Sequence, residues 1–411
     1  MINLPQGWKW KNLGEICFIT DGTHKTPNYI ETGIPFLSVK NISKGFFDLS
    51  DVKYISLEEH NKLIKRAKPE FGDILICRIG TLGKAIKISL EFEFSIFVSL
   101  GLLKPKVKII SDYLVYFLNS YFIEGWINDN KVGGGTHTAK LNLNILEKCP
   151  IALPPLKEQE RIVGILDESF AKIDESIKIL EQDLLNLDEL MQSALQKAFN
   201  PLKDNAKENY KLPQGWEWKS LGEIANTSSG GTPSRNKKEY WENGNIKWLK
   251  SGELNDGYID FIEENITEEA IKNSSAKIFQ KGTLLIAMYG ATAGKLGILN
   301  LDSTTNQAIC AFLHKDKNIK FLEKFLFYFL FFLRDKIIKD SFGGAQPNIS
   351  QTYIKNLQIP LPPLKEQEQI ASHLDELSSH VKNLKQNYQA QIKDLQELKN
   401  SLLDKAFKGN L

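Results

Sequence analysis

Gly290-Ala-Thr-Ala-Gly294-Lys295 sets two glycines ahead of a lysine, the chemistry of a loop that cradles phosphate. The spacing excludes a nucleotide site of that kind. Three residues separate the glycines where four are needed, and Leu296 stands where a Ser or Thr would hold magnesium. The first-half counterpart, Gly80-Thr-Leu-Gly83-Lys84, is shorter still and reads as a turn carrying a basic residue. No GxSxG, HExxH or kinase set occurs, and no FxGxG with an NPPY-type tetrapeptide, so hydrolytic, phosphoryl-transfer and self-contained methyl-transfer chemistry lack their usual residues. Cys17, Cys77, Cys149 and Cys310 stand far apart without a CxxC, and the six histidines are scattered, so no metal site is expected. Isolated cysteines in a chain without a visible leader fit reduced thiols and a cytoplasmic location.

What the sequence does offer is a set of hydrogen-bonding loops. The first half has Thr20–Thr26, with Thr23, His24 and Lys25, and Gly133–Lys140, with Thr136, His137 and Lys140. The second has Ser228–Lys238, with Ser234, Arg235, Lys237 and Lys238, and Gly343–Ser350, with Gln346, Asn348 and Ser350. Arg78 and Lys84 flank the first glycine turn, and Tyr289 and Lys295 the second. Glycine lets a backbone approach a phosphate closely, and Thr, Ser and Lys donate to its oxygens. His24, Arg235, Gln346 and Asn348 suit base edges in a major groove. These seventeen residues are the candidate DNA contacts; no catalytic or metal-binding residue is assigned.

The loops recur at equivalent places because the chain is a duplication. LPPLKEQERI at 153–162 returns as LPPLKEQEQI at 361–370, and LPQGWKWKNLGEI at 4–16 as LPQGWEWKSLGEI at 212–224. LQKAF at 195–199 returns as LDKAF at 403–407, again 208 residues on. A period so long excludes a solenoid. After each Pro-Pro pair, which fits a helix's first turn, an apolar stripe begins. The first runs Leu166, Phe170, Ile173, Ile177, Leu180, Leu184, Leu187, Met191, Ala194, Ala198. The second runs from Leu374 through Leu377, Val381, Leu384, Tyr388, Gln391, Leu395, Leu398 and Leu402 to Lys405. Such narrow stripes predict two long helices, the first over 156–199, packed on each other. The blocks before them mix short β runs (73–78, 282–287) with apolar helices expected over 112–127 and 319–338.

The resulting expectation is an α+β chain with two mixed α/β domains and two long helices packed together as a coiled coil. Its boundaries are 1–152 for the first domain, 153–200 for the first helical region, 201–211 for a linker, 212–360 for the second domain and 361–411 for the second helical region. Net charge is only +2, but residues 1–150 carry 19 basic against 15 acidic residues, whereas 157–199 carry 5 against 10. The longest apolar run, Phe325–Leu333, is far short of the roughly 20 residues of a membrane span.

The paired LPPLKEQE segments, LPQGWKW and LPQGWEW, the TDGTH and GGTPS loops and GGAQPNIS together resemble the specificity subunit of type I DNA restriction–modification systems, over the full length. The resemblance implies a non-catalytic subunit, pseudo-twofold, whose two helices form an antiparallel coiled coil and whose two target-recognition domains read a split, asymmetric target on double-stranded DNA. It implies docking of methyltransferase subunits and of motor-nuclease restriction subunits, for adenine methylation or cleavage. S-adenosylmethionine, ATP and Mg would then reside on those partners, with no cofactor in this chain. A coiled-coil adaptor whose heads bind proteins, and a specificity subunit of a type IIB/IIG-like system, are the alternatives.

Overall fold

A computed structural model describes residues 4–134, 139–199, 212–315, 320–341 and 348–411. The chain divides into two compact units, Met1–Glu181 with Tyr388–Leu411, and Gln182–Asn387.

In the first unit, strand Lys9–Asn12 pairs antiparallel with Pro150–Leu153, which places Trp10 opposite Ala152. In the second, Glu217–Ser220 pairs in the same way with Gln358–Leu361. This pairing explains why LPQGW and LPPLKEQE recur together. Gly7 and Gly215 adopt φ of +86° and +87°, a conformation glycine alone takes readily, and they turn the chain against Pro155 and Pro363 respectively.

The main sheet of the first unit runs in the order Cys17–Asp21, Leu100–Pro105, Ile74–Cys77, Ala85–Lys87, antiparallel throughout. All four residues of Ile74–Cys77 are buried, so the run is apolar without alternation. Ile74 and Ile76 face a core with Tyr113, Phe117 and Ile151. Leu75 and Cys77 face another with Leu37, Phe94 and Leu102. The second unit repeats the plan with Ala225–Ser229, Ile309–His314, Leu284–Ala287 and Leu296–Leu299, and adds Gly257–Ile259 as a parallel fifth strand. Both predicted β runs are strands, at Ile74–Cys77 and Leu284–Ala287.

Each apolar segment expected as one helix is two. Ser111–Leu118 and Tyr121–Asn130 are separated because Asn119 turns its amide onto Ala85, accepting from its N–H at 3.1 Å and donating to its carbonyl at 2.8 Å. Glu323–Phe332 and Arg334–Lys339 divide at Leu333, beyond which the Arg334 Nε donates to the Gly294 carbonyl at 2.9 Å.

The two long helices, Leu156–Phe199 and Leu364–Phe407, have 44 residues each, about 65 Å at the α-helical rise. They run antiparallel. Within the first unit Asp174 pairs with Lys399 and Arg161 donates to the Leu411 carbonyl at 3.2 Å. Within the second, Asp188 pairs with Lys385. Each helix starts in one unit and ends in the other unit's core. Leu403, Ala406 and Phe407 are buried among Tyr113, Phe117 and Leu166 in the first, Leu195 and Phe199 among Phe325, Phe329 and Leu374 in the second. The expected stripes therefore fail at their C-terminal ends: Leu195 and Phe199 are buried more deeply than Ala194 and Ala198, and Lys405 and Leu398 are exposed. Asp167, exposed on the first long helix, accepts from the Tyr116 hydroxyl at 2.5 Å.

Candidate nucleic-acid interface

Strand ends decide where the loops emerge. Asp21 lies opposite Gly101, and Cys77 opposite Leu100, so the segments after residues 21 and 77 leave the first sheet at one end. Ser229 opposite Cys310 and Ala287 opposite Ile309 repeat this in the second. A backbone bridge between Ile79 and Lys140 then joins the Gly80–Lys84 turn to Lys140, and one between Tyr289 and Asn348 joins the Gly290–Lys295 turn to Asn348. Both first loops pass tightly over a neighbouring strand. A Cβ at Gly22 would collide with the Ile96 carbonyl, and one at Gly230 with that of Thr305.

The Thr20–Thr26 loop is anchored by a buried carboxylate. Asp21 accepts from Arg66 Nη2 and Arg78 Nη1, and its Oδ2 lies 3.0 Å from His24 Nε2. Burial pushes this carboxyl up, but the hydrogen bonds from Arg66, Arg78 and His24 outweigh it and hold Asp21 below its ordinary range. Arg78 corrects the sequence reading. It is 7% exposed, and its Nε donates to the Leu141 carbonyl at 2.9 Å, so its guanidinium is spent inside the head. Arg66, which sequence reasoning missed, reaches the surface with 55% of its side chain exposed. No local motif marks it, since it meets Asp21 across 45 positions.

In the Ser228–Lys238 loop the Arg235 guanidinium stacks 3.7 Å from the Trp241 ring centroid and 4.7 Å from that of Trp248. Both indoles are fixed, donating to the Ser234 carbonyl at 3.1 Å and the Gly231 carbonyl at 3.0 Å. Glu264 accepts from Arg235 and from Lys250, each at 2.6 Å. Burial raises its carboxyl, but the two cations outweigh that and hold it low.

The other expected contacts divide by exposure. His24, Lys25, Lys140, Ser234, Lys237, Lys238, Lys295, Asn348 and Ser350 are exposed, and Thr23, Lys84 and Tyr289 half-buried. Ser350 also caps the helix Gln351–Asn356, accepting from the Tyr353 N–H at 3.0 Å. Thr136, His137 and Gln346 lie outside the described residues. All four cysteines are buried, and burial pushes the thiols of Cys17, Cys77 and Cys310 up to about 12, far from thiolate chemistry at neutral pH. Among the described residues no cluster of His, Cys, Asp or Glu could hold a metal ion, and no helix is long and apolar enough to cross a membrane.

What the arrangement can do is present cations and hydrogen-bond donors on segments that leave one end of each sheet. The family model of the type I restriction modification DNA specificity domain matches the chain twice, over residues 5–184 and 213–394. The StySPI specificity subunit of Salmonella potsdam, a type I restriction enzyme subunit, is 27% identical over 99% of this chain and 90% of its own length. Among solved structures, a chain from work on complex assembly and conformational transition of the type I R-M system is 24% identical. It covers 100% of both chains with a TM-score of 0.80. The HsdS subunit from Thermoanaerobacter tengcongensis is 23% identical, covers 100% of this chain and 98% of its own, and has a TM-score of 0.61.

Proposed function

The chain belongs to the type I restriction modification DNA specificity family, whose model covers both of its halves, and from that premise we propose that each head reads one part of a split, asymmetric DNA target. It is a specificity subunit, the component that recognises the DNA sequence. The observation that carries the two-part reading is the duplication. One sheet plan and one joint are kept in both units, while the loop leaving the same sheet end carries Asp21 and His24, paired with Arg66, in one unit and Arg235, paired with Glu264, in the other. The long helices hold the heads and offer their outer faces to methyltransferase subunits, to which motor-nuclease subunits add. S-adenosylmethionine, ATP and Mg belong to those partners, and this chain does no bond-breaking itself. Thr23, Lys25, Lys84, Lys140, Lys237, Lys238 and Lys295 make the phosphate contacts, and His24 and Asn348, with Gln346 from its residue type alone, read base edges.

Binding of the chain, assembled with methyltransferase subunits, to random-sequence duplexes tests the backbone part of this reading. Affinity is expected to fall steeply with salt, and Lys25→Ala, Lys84→Ala or Lys140→Ala each to flatten the log–log slope by about one unit while weakening all sequences alike. Affinity that does not respond to salt, or a slope unchanged in all three variants, contradicts it.

A further inference from the structure

We propose that Arg66 and Arg235 are base-reading arginines, each held in position by a carboxylate of its own head, Asp21 and Glu264. The inference rests on the DNA-recognition reading and deepens it.

Both arginines stand on the loop-bearing part of their head with about half the side chain exposed, 55% for Arg66 and 51% for Arg235. An exposed arginine normally samples many rotamers, and ordering it on binding costs free energy. Here the ordering is already done. Arg66 donates from Nη2 to the Asp21 carboxylate and from Nε to the Asp21 carbonyl at 3.3 Å. Asp21 is itself buried, 1% exposed, and tied to Arg78. Arg235 lies between two fixed indoles and Glu264. Of the five N–H donors of a guanidinium, Arg66 Nη1 and Arg235 Nη2 keep theirs without partners among the described residues. A planar fork with an edge left open matches the O6/N7 acceptor pair of guanine.

Charge separates this role from a phosphate contact. Each carboxylate, shared with a second cation, Arg78 or Lys250, takes up donors and charge of its arginine, so the pair offers a phosphate less than a free arginine would. A base edge, by contrast, offers neutral acceptors and is tolerated. The carboxylates therefore penalise unspecific binding, which raises discrimination as much as a favourable contact does. The two heads reach the device from unrelated positions. Ser229 stands where the repeat would place the counterpart of Asp21, and it accepts from Gln351 instead.

The test uses the full chain assembled with its methyltransferase subunits, sequencing the duplexes it retains from a random pool. The wild type is expected to enrich a split motif. Arg66→Lys keeps the charge and loses the fork. It is expected to cut preference for guanine at one position of one half-motif about ten-fold, leaving the other half unchanged, and Arg235→Lys to do the same in the other half. Glu264→Gln is expected to raise affinity for random duplex several-fold and to steepen its salt dependence. A wild type that enriches no motif sinks the DNA reading itself. A wild-type motif that both lysine variants reproduce, or a uniform weakening with base preferences kept, overturns the inference alone. So does Glu264→Gln with wild-type affinity and salt dependence on random duplex.

Discussion

Deleting residues 388–411 is expected to unfold the rest of the first unit, residues 1–181, although more than two hundred positions of sequence separate the two. Leu403, Ala406 and Phe407 are buried there, with the Phe407 ring 4.9 Å from Phe117 and 5.7 Å from Tyr113. Losing a buried phenylalanine alone costs about 3–5 kcal/mol, a large share of the roughly 5–15 kcal/mol that holds a domain folded. Leu403 and the Asp174–Lys399 pair go with it. The second unit keeps its own closing residues, Leu195 and Phe199, whose ring lies 5.3 Å from Phe325 and 5.6 Å from Phe329. Hydrogen exchange of the truncated chain should therefore show protection lost in residues 9–153 and kept in 217–361. Full protection in 9–153 would mean that the helix end is an ornament on a self-sufficient head.

The next-largest effect is expected at a single repeated side chain. Gln159 and Gln367 are 2% and 1% exposed and make the same bonds in the two units. The Gln159 amide accepts from the Ile110 N–H at 3.0 Å and donates to the Pro154 carbonyl at 2.9 Å. Gln367 accepts from the Leu322 N–H at 2.8 Å and donates to the Pro362 carbonyl at 2.9 Å. Each thus ties the start of a long helix to the loop before its head's apolar helix. Gln159→Leu leaves the buried Pro154 carbonyl and the half-buried Ile110 N–H without partners. A buried group alone costs about 1–3 kcal/mol, so a loss of about 1–4 kcal/mol is expected. Urea unfolding of Gln159→Leu and Gln367→Leu measures it. Midpoints within error of the wild type would leave the repeated glutamine unexplained. Tyr116 with Asp167 and Tyr328 with Asp375, at 2.5 and 2.7 Å, brace the same joints about two turns further along each helix.

These joints show what the sequence made legible and what it hid. The decapeptide repeat announces that both heads meet their helices alike, because an identical joint needs identical residues. Helix Leu156–Phe199 and the strands Ile74–Cys77 and Leu284–Ala287 follow from periodicity and apolar runs. The helix breaks at Asn119 and Leu333 do not, since a tertiary bond from Asn119 to Ala85 overrides an unbroken apolar pattern. The burial of Phe199 and Phe407 was hidden for another reason. A stripe records which face of a helix is apolar, whereas insertion into a distant core depends on where the helix ends. At the loops, residue type was readable and neighbourhood was not. Arg78 and Arg66 are alike in composition, yet a strand end buries the first while a turn exposes the second.

The central claim is that two heads read two parts of one DNA target independently. Exchanging residues 17–150 for the corresponding block of another specificity subunit, and sequencing the adenines methylated in cells that express the assembled system, tests it most directly. The account predicts that one half of the methylated motif changes while the other half and the gap between them stay as they were. Change in both halves, or in neither, would contradict it.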